Sequence, residues 1–277
     1  MATVATAAGG MAQANKERRE KPASGGHLVQ PVARALALLG AFTPNDRWLA
    51  NSELAARTSL PASTVSRLTQ CLVALGYLRY SSERRRYRLQ ASVLALGYAA
   101  IAQSAIQQVA RGKIKAFAEQ HGVDVTLSRR ERLNLVVVER SLTAKADLRF
   151  DLAVGTRFDL ATTPMGWALL AALPDVERYF LLGNVERRPP RDWPRLRRRC
   201  SEAISQVLKV GYCTSLGEWD SDLAVVATPL LVEGHAPLVL ACIGSASDLS
   251  RARVERELGP RLAGTAAAIA EEAGTPQ

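Results

Sequence analysis

Two stretches of this 277-residue chain carry side chains whose types and spacing could do chemistry. The first is LPASTVSRL, residues 60–68, continued by TQCLVALG. At 100° per residue, a helix from about Pro61 to Leu75 gathers Val65, Leu68, Cys71, Leu72 and Leu75 within roughly 60° of one direction. That leaves Ser63, Ser66, Arg67 and Gln70 facing outward. Hydroxyls, an amide and a guanidinium in one row match the edges of bases and the phosphates beside them. Thr64 falls near the buried edge, so its hydroxyl suits the first turn or a phosphate more than a base.

The second stretch is GYLRYSSERRRYRLQ, in which YLRY and YRL alternate around a Ser-Ser-Glu-Arg turn and read as a β-hairpin with its tip at residues 81–86. Arg84, Arg85 and Arg86 at such a tip need water or an anion. Placed directly after a helix-turn-helix they read as the phosphate-contacting wing of a winged helix, in preference to a solvated turn.

Other chemistries lack their residues. Cys71, Cys200, Cys213 and Cys242 are scattered, as are His27, His121 and His235, so neither a zinc site nor a Cys-His nucleophile is expected, and the cysteines read as reduced core thiols. There is no G-x-S-x-G, H-E-x-x-H or phosphate-cradling glycine loop. Asp220 and Asp222 are close in sequence but need no catalytic explanation. No enzyme activity, metal or cofactor is expected.

The elements that must position these residues follow from composition and periodicity. Residues 1–100 hold 13 Lys or Arg against 5 Asp or Glu, a net of +8 out of +10 for the chain. A basic field confined to the N-terminal third fits a polyanionic partner, most simply nucleic acid, or else a solvated basic surface. Residues 1–26, including KERREK, cannot bury enough apolar surface and read as a disordered tail. VARALALLGAF places Val32, Ala35, Leu36, Leu39 and Phe42 at helical spacing, and NSELAART starts a second helix with Asn51 or Ser52 as N-cap and Leu54 and Ala55 inward. With the third helix, ended by Gly76, this predicts a winged helix-turn-helix over residues 27–90.

Residues 91–108 read as a linker helix, apolar on two faces through Val93, Leu94, Tyr98, Ile101 and Ile106, which must therefore be covered on two sides, in part by a partner subunit. Residues 109–277 alternate β and α patterns: VDVTLSR and LNLVVVER as strands, PMGWALLAALP and PDVERYFLLG as helices, LAVVATPLLVEGHAPLVLACIG as a hairpin, and a helical end. The expected class is α+β, with a mainly antiparallel sheet. RRPPRDWPRLRRR, residues 187–199, holds seven arginines and reads as a solvated face before a second nucleic-acid contact. No run approaches the ~18 apolar residues of a membrane span, and the start lacks a secretory signal, so a cytoplasmic location is expected.

From about Val29 to Ala273 the order VARALALLGAF, ELAARTSLPASTVSRLTQCLVALGYL, RYRLQASVLALGYA, LATTPMGWALLAAL, GYCTSLGEWDSDLAVVATPLL and LVLACIGSAS resembles the IclR family of bacterial transcription regulators. The resemblance implies a winged helix on double-stranded operator DNA, a dimerising linker helix, a GAF-like C-terminal domain binding a small-molecule effector, and homodimers often paired into homotetramers. It places the effector near Ala161 to Trp167, the segment from Asp222 to Val226 and the strand from Leu240 to Gly244, hence Thr163, Pro164, Met165, Gly166, Asp222, Ala224, Val226, Leu240 and Cys242. Family members often carry hydroxyls on that last strand. Here Leu240, Ala241, Cys242 and Ile243 make it apolar, which favours a larger or aromatic-bodied ligand over a small oxoacid. Arg157 is open to two readings, a partner for a ligand carboxylate or a structural cation.

Overall fold

The computed structural model describes residues 29–43, 46–102, 104–143, 152–187 and 193–274. The expected tail at 1–26 with its KERREK cluster, and residues 188–192 of the arginine run, lie outside them.

The N-terminal part runs α1 (Gln30–Leu39), β1 (Leu49–Ala50), α2 (Asn51–Thr58), α3 (Ala62–Ala74), β2 (Leu78–Ser81) and β3 (Arg86–Leu89). Its three strands pair antiparallel in the order β1-β3-β2. Leu38, Phe42, Leu49, Leu54, Val65, Leu68, Leu72 and Leu78 form one core. The α1 stripe differs from expectation: Leu38 is fully buried, while Val32 and Leu36 are 56% and 62% exposed. The 3.6-residue period allowed both phases, and packing against α3 selects the one through Leu38 and Phe42.

Helix α2 begins one residue earlier than its polar side chains suggested. The N-cap is Ala50, whose N–H donates to Glu53 Oε2 at 2.6 Å, so the carboxylate three residues on does the capping. Asp46 secures the approach to α2. Its carboxylate takes Thr43 N at 2.7 Å and Arg57 Nη2 at 2.9 Å, and the Arg57 guanidinium holds the Asp46 carboxyl far below the usual carboxylate range. The turn between α2 and α3 passes through Ser59 in the left-handed region (φ 56°), and Gly76 (φ 76°) closes α3 as expected.

Helix α4 (Ala91–Ala102) leads to α5 (Ala105–His121). Ser104 caps α5, and Ile106 and Gln107, expected in the linker, are buried in the C-terminal core. Residues 91–102 and 105–121 thus form two helices, the second with its own cap.

The C-terminal part adds β4 (Asp124–Glu131), β5 (Asn134–Ser141), β6 (Arg157–Asp159), α6 (Pro164–Ala172), α7 (Asp175–Glu186), α8 (Trp193–Val210), β7 (Cys213–Leu216), β8 (Leu223–Leu230) and β9 (Leu238–Ser245). A last helix follows: α9 (Arg251–Arg253), a π-helical turn (Val254–Leu258) and α10 (Gly259–Gly274). The six strands make one sheet, β6-β5-β4-β9-β8-β7, with every neighbouring pair antiparallel among the described residues. One face carries α6 and α8, the other α5 and α10. The π turn has a local cause. Tyr212 Oη donates to Glu255 O at 2.7 Å, and its ring lies where a Cβ on Gly259 would come within 2.2 Å, so the widened turn lets the ring in.

Of the four thiols, Cys200, Cys213 and Cys242 are buried, and burial pushes each up to about 12. Cys71, expected in the core, is exposed on α3. A thiol reagent at pH 8 is expected to modify Cys71 alone in the native protein and all four cysteines after unfolding. Fast native modification of a second cysteine would contradict this burial.

Candidate nucleic-acid interface and ligand face

On α3, Val65, Leu68 and Leu72 are buried, and Ser63, Arg67 and Gln70 are exposed on the opposite side. Thr64 and Ser66 are half-buried, and Ser66 Oγ donates back to Ala62 O at 3.0 Å, leaving its lone pairs available. Thr69, absent from the expected stripe, is fully buried and satisfied by Val65 O at 2.9 Å. The expected stripe also overreached. Cys71 is exposed and Leu75, at the C-cap, is 68% exposed, because the last turn of α3 runs past the elements that cover it.

The hairpin tip turns through residues 82–85, with Arg85 in the left-handed region (φ 52°). The three arginines of the tip have separate fates. Arg86 Nη1 lies 3.0 Å from Glu53 Oε2 and 3.3 Å from Trp48 O, so it is tied to α2. Arg84 stacks over the Trp48 ring at 5.7 Å, and Arg85 is exposed with no ion-pair partner among the described residues. Arg88, not singled out from sequence, lies over the same ring at 5.2 Å. No local signal marked this contact, since Trp48 and Arg88 are 40 residues apart in sequence.

The second candidate site is the α6 face of the sheet. Asp159 Oδ1 accepts from Ala161 N at 2.8 Å and Thr162 N at 3.0 Å, and Thr163 Oγ1 donates to Asp159 O at 2.8 Å while accepting from Gly166 N at 3.2 Å. Trp167 Nε1 donates to Ala161 O at 2.7 Å, so the entry to α6 is stitched into one shape. Thr163, Pro164, Met165 and Gly166 therefore lie together at the start of α6. The strand residues expected beside them do not join them. Ala224, Val226, Leu240 and Cys242 point to the other face and pack with α5 and α10. Side chains alternate along a strand, so Val225, Ala227, Val239, Ala241 and Ile243 are the ones that face α6. Asp222 is exposed in the turn before β8, where its N–H donates to Asp220 Oδ1 at 3.0 Å, a turn-closing contact for that acid pair.

Missed from sequence were Phe158 and Trp219, whose rings meet edge to face at 6.1 Å beside this apolar layer. Thr126 and Ser128 alternate with the α5-facing Val125 and Leu127 on β4, and their buried hydroxyls have no hydrogen-bond partner among the described residues. Arg157 lies outward on β6 and pairs with Glu131 at 3.0 Å. In the arginine run, Arg197 pairs with Glu186, Arg198 with Glu202 and Arg199 with Glu202 and Glu218, as a solvated face would. Among the described residues no cluster of His, Cys, Asp and Glu could hold a metal ion, and no helix is long and apolar enough to cross a membrane.

A winged helix with an outward polar row on its third helix, joined to a domain of helices on a sheet, defines a DNA-binding regulator. Two family models agree: the IclR helix-turn-helix domain matches residues 31–82, and the bacterial transcriptional regulator IclR C-terminal domain matches residues 98–271. The chain is 30% identical to the HTH-type transcriptional regulator TsaQ1/TsaQ2 of Comamonas testosteroni, over 86% of each protein. Its fold superposes on an IclR family transcriptional regulator from Brucella abortus with a TM-score of 0.78 and 35% identity, covering 90% of this chain and 94% of that one. It also matches an IclR homolog from Microbacterium hydrocarbonoxydans, complexed with 4-hydroxybenzoate, at TM-score 0.67 and 21% identity over 88% and 98%. The chain belongs to the IclR family: it is a DNA-binding transcriptional regulator and not an enzyme.

Proposed function

We propose that α3 enters the major groove of operator DNA, with Arg67 reaching a guanine edge or phosphate and Ser63, Ser66 and Gln70 reading or positioning around it. The observation that carries this reading is the exposed row Ser63, Arg67 and Gln70 opposite buried Val65, Leu68 and Leu72. Thr64 serves the first turn or a phosphate, and Arg84 and Arg85 contact phosphates from the wing.

The protein acts in the cytoplasm as a homodimer or a pair of homodimers. Val29, Val32 and Leu36 on or beside α1 and Leu94, Leu96 and Tyr98 on α4 are 56% to 73% exposed in the single chain, and a second subunit is the natural cover for so much apolar surface. The domain division is a winged helix to residue 90, a linker through α4, and an effector domain from α5 onward.

A small carboxylic or aromatic metabolite bound on the α6 face modulates DNA binding. Apolar Phe158, Trp219, Val225, Ala241 and Ile243 suit an aromatic body, and the unpartnered hydroxyls of Thr126 and Ser128 suit a polar substituent. The homolog from Microbacterium hydrocarbonoxydans shows that this fold accommodates an aromatic hydroxy acid in that protein. Such a ligand shifts DNA affinity only by its differential affinity for two arrangements of the winged helices.

A thermal-shift screen with benzoate, 4-hydroxybenzoate and aliphatic carboxylates, followed by operator binding with each hit, tests this. A ligand at 100 times its Kd is expected to add about 2.7 kcal/mol of stability and to change operator affinity about 5- to 150-fold. Ligands that stabilise the protein yet leave operator affinity unchanged would sink the effector reading.

A further inference from the structure

The outer face of the wing sheet carries three arginines, two of them outside the hairpin tip. In the β2–β3 register Arg79 stands directly opposite Arg88, and Ser81 opposite Arg86. Alternation places these four on one face, while Leu78, Tyr80, Tyr87 and Leu89 occupy the other, where the Tyr80 and Tyr87 rings meet at 4.9 Å. Like charges directly opposite on neighbouring strands destabilise the pair unless a counter-charge meets them. Glu53 is already engaged by Arg86 and by Ala50 N. Neither Arg79 nor Arg88 has an ion-pair partner among the described residues, and Arg88 Nε is buried with no acceptor.

What holds this face together is Trp48. Its indole takes the Arg84 guanidinium at 5.7 Å and the Arg88 guanidinium at 5.2 Å, while its carbonyl accepts from Arg86. Cation–π stacking occupies the flat face of a guanidinium and leaves its edge N–H groups free to donate. Two stacked arginines beside a third, unpaired one form a rigid set of donors that the protein itself does not satisfy. The face also adjoins the reading helix. Arg86 ties β3 to Glu53 of α2, and Asn51 at the start of α2 donates to Ala62 O at the start of α3 at 3.2 Å.

We propose that Arg79, Arg84 and Arg88, ordered around Trp48, form a phosphate clamp that grips the duplex backbone beside the half-site read by α3. Trp48 is a positioning residue: it touches no DNA and sets where two of the three cations stand. The clamp deepens the wing contact proposed above for Arg84 and rests on that reading, while its failure leaves Arg67 and Arg85 untouched.

The test is fluorescence anisotropy of the full-length protein on a duplex from its own upstream intergenic DNA and on a scrambled duplex of equal length, between 50 and 300 mM KCl. Each lost phosphate contact is expected to lower the slope of log K against log salt by about 0.9, so Arg79→Gln with Arg88→Gln should lower it by about 1.8 on both duplexes. The double variant removes both a like-charge pair and the Arg88 contact with Trp48, two opposing effects of similar size, so its melting temperature should stay close to that of wild type. Trp48→Leu should weaken both duplexes about 3- to 10-fold with Arg84 and Arg88 still present, and Trp48→Phe, which keeps a ring, should recover most of that loss. An unchanged salt slope in the double variant overturns the clamp. So does a Trp48→Leu protein whose DNA affinity, measured well below its melting temperature, equals that of wild type. Arg67→Ala on the same duplexes reports on α3 independently, so either assignment can fail alone.

Discussion

Gly166→Ala is expected to be among the most damaging single substitutions in the C-terminal domain, costing about 3 kcal/mol or more. A Cβ at this position would stand 2.0 Å from Leu160 O, 2.5 Å from Leu160 C and 2.7 Å from Leu160 Cα. All three are backbone atoms, and the chain there has little room to move. Asp159 holds the amides of Ala161 and Thr162, Thr163 bonds back to Asp159, and Trp167 Nε1 anchors Ala161 O. The opposing effect is small, since Ala in place of Gly inside a helix gains about 0.5 to 1 kcal/mol where space permits. Gly183→Ala on α7, where a Cβ meets nothing within 4 Å, isolates that gain and should be neutral or slightly stabilising. Thermal melts of both variants decide the matter: at about 2 to 4 °C per kcal/mol, Gly166→Ala should melt roughly 6 to 12 °C or more below wild type. A Gly166→Ala protein as stable as Gly183→Ala would mean that α6 does not approach Leu160 as closely as described.

Arg67→Ala is expected to cost about 1 to 3 kcal/mol of operator binding, which is about 5- to 150-fold in affinity. Arg67 is exposed on α3 and its side chain has no partner among the described residues, so its removal should leave the melting temperature within about 1 °C. The loss should also be selective. A side chain reaching a base edge contributes more on the correct sequence than on a scrambled one, whereas Arg85→Ala at the wing should weaken both about equally. Equal weakening of both duplexes by Arg67→Ala would move that residue from reading bases to holding phosphates.

The difference in how far sequence could be read lies in what sets each feature. The α3 faces were legible because a helix of 13 residues samples its period several times, and Val65, Leu68 and Leu72 agree on one direction. At the ends of the helix the same periodicity misled, because Cys71 and Leu75 have the right angle but no neighbour above them. On strands the period is two, so a one-residue slip inverts every side chain. Ala224, Val226, Leu240 and Cys242, which the family resemblance placed near the effector, stand on the α5 face, while Val225, Ala241 and Ile243 face α6. In an apolar run such as LAVVATPL both faces are buried, and no polar residue marks which one meets α6. Short β1 and the tie between Arg86 and Glu53 depend on contacts 33 or more residues apart, which local patterns do not report.

The most direct measurement is an anisotropy titration of wild type and Arg67→Ala on the upstream intergenic duplex and its scramble at 150 mM salt. Wild type is expected to prefer the intergenic duplex by about 10³-fold or more, and Arg67→Ala to narrow that ratio about 5- to 150-fold while still binding the scramble. Equal binding of wild type to both duplexes, or a ratio unchanged by Arg67→Ala, would contradict sequence reading by α3.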